Sequence, residues 1–484
     1  MKPYDDFHKV SPVREARLPE DRRSRNPLIT EAGFHNFLRL KQHPHAPLWN
    51  FETGDRVETQ DKADFHRFCE TLNTARKPPG NRPSLEMIEW IRRCRSQVAA
   101  FQKQIPEGFD IERNWDEIPM LCREDISLRI ETLVPLDADL SRLIVYDTSG
   151  TTGHPLVVPH HPAAVAKVLG MIEYVMQRYR VKANFSPHMT ACLNVGAQAQ
   201  TVVFPNVLSV WEEAGFAKVN LHPESWRSPE DVRHFFRDME AFCITGDPVG
   251  FSEMVRWDIN VRPKIMLTTA LFLPKTLQER LQQKYACPVV DWYSITEVGP
   301  VGYMCPYGSG FHILPHDLYV EIVGPTGHPL PPGEFGEIVV SGGRNPFLPL
   351  LRYRTGDWAK FDFTPCPCGD PMPKITSLEG REPVLFFADN MQVVNPVDIG
   401  RLLRGVAFVQ HEFVQRADLS CDLTIRPMKH GKRPDPDKIK TKLKLLFGED
   451  TVIRIRMDKN LGERMAGGHV SAYRSEIPLG AQLS

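Results

Sequence analysis

Short apolar runs alternate with amphipathic stretches along most of the chain. The run over 143–146 (Leu-Ile-Val-Tyr) is β-branched and aromatic and predicts a short buried strand. Pro162 occupies a first helical position, and Val165, Val168, Met171, Ile172, Val175 and Met176 trace one apolar face to about Arg180. The alternation continues through 189–195, 202–210, 235–244, 265–268, 276–285 and 289–292. That rhythm predicts α/β layering on mixed or parallel sheets. Upstream, 85–101 has helical spacing, and 119–130 reads as a turn and helix.

Over 310–363 the pattern changes to short strands punctuated by Gly and Pro, predicting a small β-subdomain. Beyond Gly380 the scale shrinks to a compact α+β module. It contains a helix over 396–403, strands over 406–414 and 421–426, a helix over 435–447 and a strand over 452–457. Residues 1–80 are polar and weakly periodic and read as an irregular arm with short helices. The expected organisation is therefore an arm (1–80), a large α/β domain (81–380, with the β-subdomain at about 310–375) and a small C-terminal α+β domain (381–484). A chain of 484 residues exceeds one ordinary core, which agrees with a large and a small domain.

Composition narrows the function classes. Hydrophobic content of 42% with 25% charged residues is that of a globular protein. A net charge of −1 gives no electrostatic case for nucleic acid or an anionic membrane. The basic residues at 14–25 are interrupted by acids and read as a solvated face. No apolar run suits a membrane span or a signal core, so a cytoplasmic location is expected. Ten cysteines over this length suggest reduced thiols or metal ligands rather than a disulfide framework. His160-His161 reads as loop surface.

The 143–146 run breaks into Thr148-Ser149-Gly150-Thr151-Thr152-Gly153-His154-Pro155. Glycines allow close backbone approach to a ligand, and successive N–H groups with hydroxyl donors make an anion-binding loop. It is not the Walker pattern, because Gly-Lys-Ser/Thr is missing and Pro155 leads into a Leu-Val-Val run. An ordinary Gly/Ser/Thr turn is the plain alternative for any part of this stretch.

The loop resembles the phosphate loop of the adenylate-forming superfamily of acyl-CoA synthetases, adenylation domains and luciferase. Three further stretches match in order: Trp292-Tyr293-Ser294-Ile295-Thr296-Glu297, Tyr353-Arg354-Thr355-Gly356-Asp357, and Gly380-Arg381-Glu382. Ile118-Pro119, Arg123-Glu124-Asp125 and Pro349 to Tyr353 are similar to the phenylacetate-CoA ligase branch. The likeness runs from about Trp115 to the C-terminus. It implies a large N-terminal domain closed by a mobile C-terminal lid hinged near Arg381-Glu382. It also implies ATP and Mg²⁺ as cofactors and coenzyme A as the acceptor.

Under that resemblance Thr148, Ser149, Gly150, Thr151, Thr152 and Gly153 cradle phosphate, Thr296 contacts the α-phosphate and Glu297 holds Mg²⁺, a hard cation that prefers oxygen ligands. Tyr293, beside Ser294, offers a flat ring to adenine, Asp357 holds the ribose hydroxyls, and Arg381 contacts ribose or phosphate. Asn194, Gly196, Thr268, Thr269, Ala270 and Tyr293 surround the acyl pocket, which suits an aryl or other hydrophobic acid. Taken singly, Tyr293 reads equally as core, Asp357 as a turn acid and Arg381 as a surface pair.

Cys366-Pro-Cys368-Gly369 is a tight Cys-x-Cys turn, with Cys305 and His312 as the companion ligands. Spacing alone leaves buried thiols and a core histidine as the alternative, because Cys305 and Cys366 lie far apart in sequence. Some members of the phenylacetate-CoA ligase branch carry a structural zinc at these motif positions, and the resemblance implies Zn²⁺ here.

The chain also departs from the pattern. His154 stands where the phosphate loop usually carries Lys, and Gly468 or His469 stands where the C-terminal domain places its catalytic Lys. Thr268-Thr269-Ala270 replaces the usual Gly-Ala-Glu-like turn. Three functions stay open. One is an ATP-dependent acid–thiol ligase, the second a ligase with an amine or other non-CoA acceptor in secondary metabolism, and the third a nucleotide-binding protein that no longer adenylates. A small-molecule carboxylate with a thiol or amine acceptor is the expected partner set, without nucleic acid or membrane. The family likeness also suggests a homodimer.

Overall fold

The computed structural model describes residues 20–74, 82–147, 156–379, 384–403, 406, 408–427, 433–461 and 473–477. The chain opens with α1 (Glu20–Arg25), α2 (Glu31–Lys41) and α3 (Thr59–Asn73), followed by α4 (Leu85–Arg95), α5 (Ala99–Gln104) and α6 (Arg123–Arg129). A hairpin of β1 (Ile144–Asp147) and β2 (Val157–His160) flanks the predicted phosphate loop and leads into α7 (Pro162–Arg178). The body continues as β3 (Thr190–Gly196), β4 (Phe204–Leu208), β5 (Ala214–Asn220), α8 (Pro229–Met239), β6 (Cys243–Gly246), α9 (Pro248–Arg256), β7 (Ile265–Thr268), α10 (Lys275–Tyr285) and β8 (Val289–Ile295). Then come β9 (Gly299–Met304), β10 (Phe311–Ile313), β11 (Leu318–Val323), β12 (Gly336–Gly342), β13 (Leu350–Asp362) and β14 (Lys374–Glu379). The C-terminal part holds β15 (Phe386–Phe387), β16 (Val393–Val394), α11 (Pro396–Leu402), β17 (Phe408–Gln415), β18 (Cys421–Pro427), α12 (Pro436–Phe447), β19 (Ile453–Met457) and β20 (Tyr473–Ser475).

The expected α/β layering is present. One sheet of 12 strands runs β11-β12-β13-β14-β10-β9-β8-β7-β6-β3-β5-β4. Strands β8, β7, β6, β3 and β5 are parallel neighbours; β5, β6, β7 and β8 are joined in turn through α8, α9 and α10, and β3 reaches β5 by way of the antiparallel edge strand β4. Helices α8, α9 and α10 cover one face with Phe235, Phe236, Phe251, Met254, Leu277 and Leu281. The other face packs against α3 and α7 through Phe65, Phe68, Leu72, Met171 and Val175.

Three expectations change. The N-terminal stretch carries the expected helices, but it is not a detached arm: α3 buries Phe65, Phe68 and Leu72 in a core shared with α7. Each such burial contributes about 1.5–3 kcal/mol. Gly170 of α7 permits the approach, since a Cβ there would meet Cys69 Sγ at 2.9 Å and a Phe65 ring carbon at 3.2 Å. The helix was masked in the sequence by its many polar residues on the outer face. The strand at 144–147 is not buried, because Val145 is 51% and Tyr146 41% exposed on a separate two-stranded hairpin. The strands over 310–379 do not close a sheet of their own but extend the body sheet through antiparallel β8, β9, β10 and β14.

The C-terminal module forms a sheet of 4 strands, β19-β18-β17-β20, against α11 and α12, with Phe386, Phe413, Leu423, Leu443 and Phe447 at its centre. The segment before it belongs to two cores at once. Leu385, Phe387 and Val393 pack into the body core, whereas Phe386 and Val394 face the C-terminal core. Alternating side chains of one hairpin thus join the two units. No described helix is long and apolar enough to cross a membrane.

Candidate functional site

Strand β8 ends at Ile295, and the chain turns through Thr296, Glu297 and Val298 to Gly299, whose φ of +82° suits glycine. That turn leaves Thr296 exposed and Glu297 only 3% exposed. Glu297 Oε1 accepts the Tyr353 hydroxyl at 2.5 Å, and the Arg123 guanidinium of α6 stands 3.8 Å away. Burial, then the Glu297 charge, pushes the Tyr353 phenol well up, so it remains a donor. A buried carboxylate held by one phenol and one cation keeps acceptor capacity for a hard cation.

Beside it, the Tyr293 hydroxyl donates to Asp357 Oδ2 at 2.9 Å. Asp357 sits on β13 after Gly356, where φ is +80°, and its N–H donates to Thr355 Oγ1 at 3.1 Å. The Tyr293 ring is 9% exposed and lies edge-on to Phe311 at 6.4 Å. The ring is thus held both by its hydroxyl and by packing on Phe311. Ser294 is half-buried next to it.

The histidines at 160 and 161 are not loop surface. His161 caps α7 by accepting from Ala163 N at 3.1 Å. His160 stacks edge-on against Tyr146 at 4.8 Å, its Nδ1 lies 3.3 Å from the Val158 carbonyl, and the Thr296 backbone acts on the ring. This contact brings the flank of the predicted phosphate loop to the Thr296–Glu297 turn. The loop residues Thr148, Ser149, Gly150, Thr151, Thr152, Gly153 and His154 lie outside the described residues, as do Arg381, Gly468 and His469.

The six expected pocket residues lie at or just past the ends of β3 and β7 and on β8, strands of one parallel run, and differ in exposure. Asn194 is half-buried and donates to Thr245 Oγ1 at 2.9 Å, and a Cβ on Gly196 would meet nothing within 4 Å. Thr269 is half-buried and Ala270 exposed with a φ of +72°. Thr268 is 0% exposed and donates to Asp291 Oδ1 at 3.0 Å, so its hydroxyl supports the turn from beneath instead of lining a pocket. Asp291 also accepts from Leu273 N at 3.3 Å, and burial pushes its carboxyl up to about 6. Sequence reasoning missed Asp291 and the roles of Arg123 and Tyr353. Their proximity arises from pairings between strands distant in sequence.

Cys305, His312, Cys366 and Cys368 converge, with one ligand atom from each lying within 4.8 Å of all the others. Cys305 Sγ is 3.4 Å from Cys366 Sγ, and Cys368 Sγ is 3.1 Å from His312 Nε2. His312 Nδ1 lies 2.9 Å from the Met372 carbonyl, which orients the ring and leaves Nε2 toward the thiols. Backbone N–H groups of Tyr307 and Asp370 each donate at 3.4 Å to Cys305 and Cys368. Burial opposes ionisation of Cys366, but donation from Cys368 N–H and the Cys305 thiol outweighs it and holds the thiol down to about 6. Three thiols and one imidazole at such spacing fit the donor set of a tetrahedral zinc site. Asp370 anchors the turn from below, accepting from Tyr303 at 2.5 Å and Tyr174 at 3.1 Å. All ten cysteines are free of disulfides.

The mixed α/β body is the fold of an AMP-forming enzyme class, and the family comparison places the chain there. Residues 97–345 match the AMP-binding enzyme family, and the chain belongs to it. Within that family it is similar to the phenylacetate-coenzyme A ligase of Thermus thermophilus, 33% identical over 92 residues, or 19% of each chain. The phenylacetate-coenzyme A ligase of Pseudomonas putida is 30% identical over 128 residues, 25% of this chain and 27% of that one. The match therefore spans only about a fifth to a quarter of the length of these relatives. A crystal structure of 2-hydroxyisobutyryl-CoA ligase with 2-HIB-AMP and CoA shares the fold, with a TM-score of 0.54 at 14% identity over 84% of this chain and 95% of that chain.

Proposed function

We propose that this protein is an ATP-dependent acid–thiol ligase. It activates a hydrophobic or aryl carboxylate as an acyl-adenylate and transfers the acyl group to coenzyme A. The observation that carries this reading is the convergence of Glu297, Tyr353, Arg123, Tyr293 and Asp357 at one end of the body sheet. The substrate carboxylate, already ionised at neutral pH, attacks the α-phosphorus of ATP, and the bond to pyrophosphate breaks. The coenzyme A thiol then attacks the acyl carbon and expels AMP, and its proton passes to solvent.

In this reading Glu297 is the carboxylate that holds Mg²⁺, which when bound neutralises phosphate charge. Asp357, oriented by Tyr293, takes the ribose hydroxyls, and Thr296 lies at the α-phosphate. The loop 148–153 and Arg381 supply the remaining phosphate contacts. Cys305, His312, Cys366 and Cys368 hold a structural zinc that staples β9, β10 and the 366–368 turn.

Magnesium-dependent formation of AMP and pyrophosphate from a carboxylate panel, with the acyl-thioester seen by mass spectrometry only when coenzyme A is added, is the expected result. AMP formation that requires an amine instead would reassign the acceptor. A second reading rests on Gly468 and His469 in place of the family Lys: ATP binding without adenylation. Tight ATP binding with no pyrophosphate from any acid would select it.

A further inference from the structure

Strands β5, β3 and β6 carry Lys218, Asn194 and Thr245 at one level. Asn194 is the register partner of Lys218 on one side and of Thr245 on the other. Registered residues on parallel strands share a face, so three polar side chains stand in a row across the sheet. The row is bounded by apolar neighbours, Phe204 on β4 and Leu267 on β7. Gly196, two residues beyond Asn194 on the same strand, opens onto space that a Cβ would not fill.

Asn194 Nδ2 donates to Thr245 Oγ1 at 2.9 Å. Lys218 differs. It is half-buried, and among the described residues its ammonium has no hydrogen-bond or ion-pair partner. The charges that act on it are Arg401 of α11, which repels it, and Asp247, which attracts it. Asp247 is engaged in capping α9, accepting from Gly250 N at 2.6 Å. Burial, then repulsion from Arg401, lowers the Lys218 pKa, and attraction to Asp247 only partly offsets them. The C-terminal unit closes over this strand end: Asp398 Oδ2 accepts from Ala199 N at 2.7 Å, and Asn395 donates to Ala197 O at 2.9 Å.

We infer that Lys218 anchors an anionic oxygen, carboxylate or phosphate, of a ligand lying along the Asn194–Gly196 strand end beneath α11. This deepens the ligase reading and rests on it. The pocket then takes more than a plain hydrophobic acid. Either the acid carries a second carboxylate at its far end, or the 3′-phosphate of coenzyme A reaches Lys218.

The test uses the full chain with Lys218→Met, Lys218→Gln and Lys218→Arg, and reads dissociation constants by calorimetry. The probes are phenylacetate, (4-carboxyphenyl)acetate, coenzyme A and dephospho-coenzyme A. Lys218→Met should weaken the diacid about tenfold and leave phenylacetate unchanged if the anion belongs to the acid. It should weaken coenzyme A about tenfold and leave both acids unchanged if the anion is a phosphate. Lys218→Arg should retain affinity in either case. Equal affinities of wild type and Lys218→Met, or Lys218→Gln should Met misfold, for all four probes would overturn the inference. If neither variant folds, a wild type that does not prefer the diacid and binds both coenzyme forms equally overturns it too. These readouts need no turnover, so failure of the anion anchor is read separately from failure to form AMP.

Discussion

Tyr353 on β13 donates its hydroxyl to Glu297 at the end of β8, at 2.5 Å, although 56 residues separate them, and both side chains are 3% exposed or less. A charge so removed from water is costly unless it is compensated. The phenol and the nearby Arg123 compensate it in part, and the remaining acceptor capacity is what a magnesium ion would use.

Glu297→Gln removes the charge and keeps the shape. Pyrophosphate release should fall by about 100-fold or more, the scale of losing an electrostatic partner of the transition state. Tyr353→Phe should cost about 1–3 kcal/mol of stability by leaving a buried acceptor unpaired, with a smaller loss of turnover. Unchanged pyrophosphate release in Glu297→Gln would remove Glu297 from the metal role.

Elemental analysis of purified protein should find close to one zinc per chain, and less than half an equivalent would count against the Cys305–His312–Cys366–Cys368 centre. Cys366→Ser should lower zinc content and reduce the unfolding temperature by roughly 5–10 °C, since binding to a preformed set stabilises the folded state. Strong chelators should reproduce the shift in the wild type but not in the variant.

Asp291 has a folded pKa of about 6, raised by burial above the unfolded value near 3.8. Its contribution is fully present below the unfolded value and is lost as pH rises through the folded one. Wild-type stability relative to Asp291→Asn should therefore be greatest near pH 4 and decline to pH 7, by at most about 3 kcal/mol. Denaturant unfolding across that range checks the sign, and a flat or rising difference would contradict the burial of this carboxyl.

Asp398 fastens α11 to the backbone after β3 through Ala199 N, with Asn395 fastening the same segment through Ala197 O. Asp398→Ala should weaken this seam by about 1–2 kcal/mol. Amide exchange should accelerate over 396–402 and at Ala199, while the core strands β3 and β6 keep wild-type protection.

Local pattern carried much of the architecture. The helix starting at Pro162, the strands near 190, 265 and 289, and the helix–strand order after 395 all appear close to their expected places. Those segments combine strong periodicity with clear stop signals, so local preference and tertiary packing agree. Strand β5 and helix α9 went unread because they are short and mixed in composition, and only their neighbours supply the burial. The arm misled for the opposite reason: α3 is polar in the mean but presents Phe65, Phe68 and Leu72 to α7.

The amino-acid order by itself determined the family resemblance, the α/β rhythm and the residue types able to meet a nucleotide, a magnesium ion and a zinc ion. Tertiary structure alone decided that Tyr353 holds Glu297 and that the buried Thr268 supports Asp291, and it brought Cys305 to Cys366 across 61 positions as the resemblance implied. Side-chain type is written locally, whereas contact between distant strands depends on register, and register is settled only when a whole sheet packs its faces.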